Sequence, residues 1–192
     1  MYGLIHSALR DMVINDHGVA VWNSVLESAD VEPDVFLSMR QYDDATTLAL
    51  IGSSAANTNM DVDRFLESFG FFWLTVFAPT DYGALLNLAG ENPFEFLRNL
   101  NRLHERISTS FIDFRPPVFG VKDLGDDCIE VQYSSSRKGL TPFVAGILRG
   151  LSTMFDMTLR IEMKSSEQMP SGEKSVFEIT KVDSCAVTHD GK

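Results

Sequence analysis

Apolar residues recur at a period near 3.6 through the first two-thirds of the chain, the spacing that places them on one face of a helix. The segment LIHSALRDMVI begins this pattern near the N-terminus, and VAVWNSVLESA repeats it. Asp43 and Asp44 are placed to open a third helix. Asp61 or Asp63 is placed to open a fourth, because aspartate accepts hydrogen bonds from the free amides of a helix start. These segments predict a helical N-terminal part.

Glycine, asparagine and proline bound two further helices. The segment DYGALLNLAG ends in Gly90, which is placed to cap the carboxyl end of its helix. The next helix, NPFEFLRNLNRLHERI, takes Asn92 as its N-cap and Pro93 as its first helical residue. Pro116 and Pro117 then exclude helix and favour extended backbone. The pattern therefore changes at these two prolines.

Period-2 alternation follows the prolines. VFGVKDL and CIEVQYSSSR predict two strands, and MTLRIEMK and KSVFEITKV predict two more around a turn at MPSGE. Between the two pairs, LTPFVAGILRGLSTMF returns to the helical period, with Thr141 as its cap and Pro142 as its first helical residue. The predicted fold class is α+β, a mostly helical N-terminal part followed by an antiparallel sheet with one helix.

Composition excludes several classes of function. The 192 residues suffice for one sizeable core, and the net charge of −11 argues against nucleic acid or an anionic membrane surface as a partner. No apolar run reaches the roughly 18 residues of a membrane span, and the N-terminus lacks a signal-peptide pattern. Cys128 and Cys185 form no CxxC pair and are expected to be free thiols. We therefore expect a cytoplasmic protein that ends in a frayed tail at 183–192.

His104 lies on or beside the apolar stripe of the helix that begins at Pro93. Leu100 precedes it by four residues and Ile107 follows it by three. A core histidine with a hydrogen-bond partner is the ordinary interpretation. No second histidine, cysteine or carboxylate stands at metal-ligand spacing, which argues against zinc with its about four donors. A haem iron needs only one strong protein ligand, because the porphyrin supplies the others.

The segment YSSSR, residues 133–137, is a second candidate site. Period 2 places Tyr133, Ser135 and Arg137 on one face of a strand or its extension. Three hydrogen-bond donors that end in a guanidinium suit a flexible dianion with two carboxylates or phosphates, and haem carries two propionates. Taken by itself, the motif leaves a solvated strand end as the alternative.

Together these segments resemble the haem–nitric oxide/oxygen binding (H-NOX) domain family, which includes the haem domain of soluble guanylate cyclase. The resemblance extends from Met1 to about residue 182 and is carried by MYGLI, FGFFWL, GENPFEFLRNLNRLH, RPPVF and YSSSRKGLTPFVAGILRGL. Its most specific part is Y-x-S-x-R with a histidine upstream. It implies a single domain over 1–182 that binds haem b between a helical subdomain, about 1–62, and an α+β subdomain, about 63–182.

The resemblance also implies the role of each site residue. His104 would be the proximal ligand of the iron, and Tyr133, Ser135 and Arg137 would hold the propionates. Pro117 would press on the porphyrin and distort it from planarity.

The remaining histidines are weaker candidates. His6 is placed to approach the haem periphery, although a partly exposed helix residue is the ordinary interpretation. His17 stands at a helix end before Gly18, where a positive charge is favoured, and His189 lies in the tail.

The distal pocket bears on the choice of gas. Family members that hold O₂ carry a distal tyrosine five residues after the motif arginine, and that position here is Pro142. The pocket positions that the resemblance supplies are Ile5, Leu9, Trp73 and Phe143, all apolar or aromatic. The resemblance therefore implies a ferrous haem that binds NO and CO and excludes O₂. The indole N–H of Trp73 is the one group that counts against this expectation.

In this family, NO weakens the bond between iron and the proximal histidine, the haem relaxes toward planarity, and the helices shift relative to the sheet. No kinase, cyclase or methyl-acceptor segment follows the domain. We therefore expect a stand-alone bacterial-type sensor without enzyme activity, acting in trans on a histidine kinase or a cyclic-di-GMP enzyme by family analogy.

Three alternatives remain open from the sequence. The same haem would serve a redox or storage module that does not signal. A haem peroxidase is a weaker alternative, because no distal histidine–arginine pair is evident. A domain that binds no haem, with His104 in a structural role, is the third.

Overall fold

The computed structural model describes residues 1–32, 36–109 and 114–182. These ranges contain seven α-helices, one π-helical segment and four strands. The helices are α1 (Gly3–His17), α2 (Val19–Ser28), α3 (Asp44–Asn57), α4 (Val62–Phe72), α5 (Ala78–Asn87), α6 (Pro93–Ser108) and α7 (Thr141–Met154), with the π segment (Trp73–Phe77) between α4 and α5. The strands are β1 (Val118–Gly125), β2 (Cys128–Ser135), β3 (Leu159–Met169) and β4 (Gly172–Lys181). The predicted α+β class is confirmed.

Side-chain caps start two helices as the sequence predicted. The Asp61 carboxylate accepts hydrogen bonds from the amides of Asp63 (2.9 Å) and Arg64 (3.3 Å) at the start of α4. The Asn92 side chain accepts one from the Glu95 amide (3.0 Å) at the start of α6. Asp43 precedes α3, but its side chain makes no capping hydrogen bond.

Two predicted boundaries are wrong, and in each case the residue assigned as a cap makes a different contact. Helix α5 ends at Asn87, and Gly90 lies beyond its cap. A Cβ at Gly90 would stand 2.5 Å from the Phe96 amide nitrogen, so this glycine permits a close approach to α6. Helix α7 begins one residue earlier than predicted: Thr141 is already helical, and its hydroxyl bonds the Ser175 hydroxyl (2.8 Å) on β4.

The four strands form one antiparallel sheet in the order β1-β2-β4-β3. Between the central strands, Tyr133 lies opposite Ser175 and Ser135 lies opposite Glu173. These residues share the inward face with Phe177, which is fully buried. The predicted turn between β3 and β4 is also present.

Two apolar clusters make up the core. The first lies among the four helices α1, α2, α3 and α4 and contains side chains such as Leu9, Leu50 and Phe65. The second joins the sheet to α5, α6 and α7 around side chains such as Leu97 and Phe177. Helix α4, which begins at Val62, packs in the first cluster. The predicted division of the chain into two subdomains near residue 62 stays a prediction.

Helices α4 and α7 are in backbone contact through two glycines. A Cβ at Gly70 would lie 1.9 Å from the Phe143 carbonyl oxygen, and a Cβ at Gly146 would lie 2.0 Å from the Glu67 carbonyl oxygen. Any larger residue would force the helices apart, because main-chain atoms cannot move aside as a side chain can.

Every helix in the described ranges is too short or too polar to cross a bilayer.

Candidate cofactor site

A cavity of about 590 Å³ is lined by side chains of both apolar clusters. Its volume lies within the range of sites that enclose small molecules and cofactors, roughly 300–1,000 Å³. It brings together all but one of the predicted site residues. Those that line it are Ile5, Trp73, His104, Pro117, Tyr133, Ser135, Arg137 and Phe143. Leu9 is fully buried in the first cluster and is not among the lining residues.

His104 reaches the cavity from α6. Its Nδ1 atom is buried and has no hydrogen-bond partner among the described residues. The rings of Phe114 and Phe119 lie 6.1 Å and 6.0 Å from the imidazole centroid. Burial lowers the pKa of His104 to about 4, against a weaker opposing contribution from the backbone of Pro117. The imidazole is therefore neutral near pH 7.

Tyr133 and Ser135 reach the cavity from β2, and Arg137 from the segment that follows it. The Tyr133 hydroxyl donates to Glu173 Oε1 (3.1 Å), and Ser135 Oγ accepts from the Arg137 amide (3.0 Å). Burial raises the pKa of Tyr133 further above its usual value. The phenol therefore stays protonated and remains a donor.

The guanidinium of Arg137 already has partners. Its Nε donates to both carboxylate oxygens of Asp44 (3.1 Å and 3.0 Å), and its Nη1 donates to the Arg115 carbonyl (2.9 Å). Asp44 also accepts from the Met1 ammonium (2.8 Å). Burial acts to raise the pKa of Asp44, but the hydrogen bonds from Met1 and Arg137 outweigh it and leave that pKa below its usual value.

Sequence reasoning missed two carboxylates beside the motif. Asp44 was recognised only as a helix-start residue, and nothing in its local pattern indicates Arg137, which lies 93 residues away. Glu173 is 2% exposed and was not singled out. The period-2 pattern of GEKSVFEIT does carry a signal, because it places Glu173 on the same strand face as Phe177 and Ile179.

The π segment and α7 each place an aromatic side chain, Trp73 and Phe143, in the lining of the cavity. Trp73 stacks on Phe77, with ring centroids 5.0 Å apart and planes at 24°. The Phe143 ring lies 5.0 Å from that of Phe69. Pro142 stands in the first turn of α7, where it offers no N–H.

His6 differs from the sequence expectation of a partly exposed helix residue. Its side chain is fully buried, its Nε2 pairs with Thr47 Oγ1 (2.8 Å), and its ring packs against Phe36 and Tyr42. It is not among the residues that line the cavity. The other weak candidate, His17, ends α1 as predicted.

The two cysteines carry little information about the site. Cys128 is a free, half-buried thiol whose sulfur lies 3.4 Å from Thr180 Oγ1. Cys185, His189 and the predicted tail at 183–192 lie outside the described residues.

The family model described as Haem-NO-binding matches residues 2–163. The chain belongs to this H-NOX family. Among curated relatives, soluble guanylate cyclase gcy-37 of Caenorhabditis elegans is 27% identical over 191 residues, which are 95% of this chain and 27% of that protein. Soluble guanylate cyclase 89Db of Drosophila melanogaster is 20% identical over 184 residues, 94% of this chain and 27% of that protein. The chain spans about a quarter of the length of these relatives.

Solved H-NOX structures share the fold. An H-NOX protein from S. oneidensis in the Fe(II) ligation state is 21% identical, with a TM-score of 0.85 over 95% of this chain and 97% of that one. An oxygen-binding H-NOX domain related to soluble guanylate cyclases is 20% identical, with a TM-score of 0.82 over 94% of this chain and 95% of that one. H-NOX domains are haem-based gas-sensor domains that carry no catalytic activity of their own.

Proposed function

We propose that this H-NOX domain binds haem b in the cavity, with His104 as the axial ligand, and senses NO. The observation that carries the proposal is the cavity itself. It joins a neutral histidine to the polar residues Tyr133, Ser135 and Arg137. Bound haem would supply a ferrous iron, which is the centre that takes up a diatomic gas.

The imidazole of His104 suits this role on physical grounds. A neutral ring offers a lone pair to a metal, and burial keeps the ring neutral well below pH 7. A buried polar atom without a partner costs about 1–3 kcal/mol. His6 has the same kind of unpaired nitrogen, however, so the cavity beside His104 supports the assignment rather than the unpaired atom.

The polar side chains of the cavity suit a cofactor with carboxylates. Ser135 offers a hydroxyl donor, and Arg137 offers a guanidinium that binds carboxylates in bidentate fashion. The Tyr133 hydroxyl would have to turn its proton away from Glu173 to donate to the cofactor. Pro117 lines the same cavity and presents a rigid ring, which supports its proposed role in distorting the porphyrin.

The selectivity that we propose is for NO and CO over O₂. Bound O₂ gains from a distal hydrogen-bond donor, whereas NO needs none. Ile5 and Phe143 line the cavity without a donor. Pro142 is not among the lining residues, and it stands where the family resemblance places the distal tyrosine of O₂-binding members. Three lining residues count against the proposal, because Trp73 carries an indole N–H and Tyr2 and Tyr82 carry hydroxyl groups.

The output that we propose is conformational. His104 lies on α6, and Arg137 ties the end of β2 to α3 through Asp44. A change of ligation at His104 would therefore shift α6 relative to the sheet, and the N-terminal helices with it. A histidine kinase or a cyclic-di-GMP enzyme in the cytoplasm of a bacterium is the partner that we propose. A redox or storage role would require no such shift.

The visible absorption spectrum of the reconstituted protein tests this proposal. A Soret band that shifts with NO and CO under reducing conditions is expected, with no stable oxy spectrum in air. Absence of a Soret band after haemin is added would exclude the haem assignment. Haem binding without a change in hydrogen exchange of α6 on addition of NO would favour the redox or storage role.

A further inference from the structure

Glu173 is a buried carboxylate on the inward face of the sheet. It is the second residue of β4, and only 2% of its surface is exposed. Buried carboxylates are rare unless paired or hydrogen-bonded, because removing the charge from water is costly. No positive side chain pairs with Glu173 among the described residues.

Three donors satisfy this carboxylate instead. Oε1 accepts from the Tyr133 hydroxyl (3.1 Å) and from the Leu140 amide (2.9 Å), and Oε2 accepts from the Gly139 amide (2.7 Å). Leu140 is the N-cap residue of α7 and offers no capping side chain. Glu173 therefore places its negative charge at the amino end of α7, which the helix dipole favours.

The backbone places Glu173 firmly. Gly172 has φ +148°, and a Cβ there would lie 1.9 Å from the Ser135 carbonyl oxygen. Strand β4 therefore starts in backbone contact with the end of β2, and Glu173 pairs opposite Ser135. Only glycine permits this approach.

The partners of Glu173 lie on both sides of Arg137 in the chain. Tyr133 precedes this arginine by four residues, and Gly139 and Leu140 follow it by two and three. Glu173 itself makes no hydrogen bond to Arg137, and the guanidinium is held by Asp44 and Arg115 instead. Glu173 therefore fixes both ends of the segment that carries the donor set without neutralising the arginine.

We propose that Glu173 is a positioning residue for the carboxylate-binding set Tyr133, Ser135 and Arg137. It fixes the Tyr133 side chain through the hydrogen bond that the phenol donates, and it holds the segment after β2, so that Ser135 and Arg137 are positioned before the cofactor enters. The inference rests on the proposed function and adds to it a residue that the Y-x-S-x-R motif does not contain.

Haemin and its dimethyl ester provide the test, because the ester has the same ring without free carboxylates. In Glu173→Gln, an amide replaces one carboxylate oxygen and faces at least one of the three donors. We expect haemin to dissociate about tenfold faster from this variant than from the parent, the size of one lost hydrogen bond to a charged group. The ester should dissociate from both at the same rate.

Ser175→Ala is the matched control. It removes the other hydrogen bond between β4 and α7, which Thr141 Oγ1 makes with Ser175 Oγ (2.8 Å), and Ser175 is also fully buried. The Ser175 side chain also bonds the Ser166 hydroxyl (3.1 Å) and makes no hydrogen bond to a donor of Glu173. This variant should change haemin and ester dissociation equally or not at all.

If haemin and its ester both dissociate from Glu173→Gln faster than from the parent, by the same factor, then Glu173 has only a structural role and the inference fails. The same conclusion follows if neither rate changes. If Glu173→Gln does not accumulate as folded protein, Glu173→Asp replaces it, since it keeps the charge but is one methylene shorter. If the parent binds neither porphyrin, the proposed function fails instead. If Arg137→Ala shows the selective loss and Glu173→Gln does not, only the role of Glu173 is wrong.

Discussion

His104 and His6 share a lowered pKa and an unpaired ring nitrogen, although His6 is the more deeply buried of the two. Burial lowers the pKa of each to about 4, and each has an Nδ1 without a partner among the described residues. His6, however, pairs with Thr47 and lies away from the cavity. Burial and titration therefore do not distinguish a ligand from a core histidine. The open space beside His104 does.

His104→Gly should lose stable haem and recover it when free imidazole is supplied. Glycine leaves room for imidazole at the axial position, and the described residues place no other histidine or cysteine in the cavity. The Soret band of the ferrous variant, with and without imidazole, measures this. His6→Gln is the control and should keep the parent spectrum. An unchanged spectrum for His104→Gly without imidazole would assign the ligand elsewhere.

Arg137→Ala should weaken haem retention more than Ser135→Ala. A charge-assisted contact to a carboxylate is worth about 1.5–3 kcal/mol, against about 1 kcal/mol for a neutral hydrogen bond. Haem transfer to an acceptor globin gives the dissociation rates. Asp44→Asn separates carboxylate binding by Arg137 from its ion pair with Asp44. The variant keeps the guanidinium but weakens that ion pair. Parent-like retention in both alanine variants would place these residues at a solvated strand end.

The pKa of His6 makes stability depend on pH. A folded-state pKa near 4, below the ordinary 6.5, means that the unfolded chain binds the proton first as pH falls. The contribution of neutral, buried His6 to the free energy of unfolding is therefore complete above about pH 6.5. It is lost as the pH falls from there to about 4. In the cofactor-free protein, His6→Gln should reduce the loss between these values by on the order of 2 kcal/mol. Urea unfolding at several pH values measures it.

At the scale of elements, periodicity predicted the helices and strands, and it failed where a tertiary contact overrides local pattern. The run from α4 through α5 was predicted without its π segment, because one extra residue per turn leaves no composition signal. Gly90 was assigned as a cap because a glycine after a periodic run usually is one, whereas here it permits contact with α6. Thr141 was assigned as a cap because sequence does not show that Ser175 engages its hydroxyl.

Gly70→Ala and Gly146→Ala should destabilise the protein by separating α4 from α7. Each added methyl would overlap a carbonyl oxygen of the facing helix, and such overpacking costs about 1–3 kcal/mol. Gly52→Ala is the matched control, since this glycine lies inside α3 with nothing within 4 Å of its missing Cβ. It should stabilise the protein by about 0.5–1 kcal/mol. Thermal unfolding measures all three, and a neutral Gly146→Ala would contradict the backbone contact.

At the scale of the molecule, the candidate site depends on segments that are distant in sequence. The motif residues could be named from the sequence because their types and spacing are specific. The partners of the motif could not, because Asp44 and Glu173 reach it from α3 and β4. Leu9 shows the opposite limit: an apolar residue placed in the pocket by resemblance lies in the neighbouring core. Which residue faces a cavity depends on how the two clusters meet.

The selectivity for gas depends on how the two apolar clusters meet, because residues of α1, the π segment and α7 form the wall of the cavity away from α6. The ferrous protein in air should form no stable oxy complex and should still bind NO and CO, since Ile5 and Phe143 offer no donor. Phe143→Tyr adds a hydroxyl to this wall and should create weak O₂ binding, visible as an oxy spectrum that autoxidises slowly. Phe72→Tyr is the control for an added hydroxyl, because Phe72 is half-buried and is not among the residues that line the cavity. A stable oxy spectrum from the parent that is lost in Trp73→Phe would assign the donor to the indole. That result would overturn the selectivity and leave the haem assignment intact.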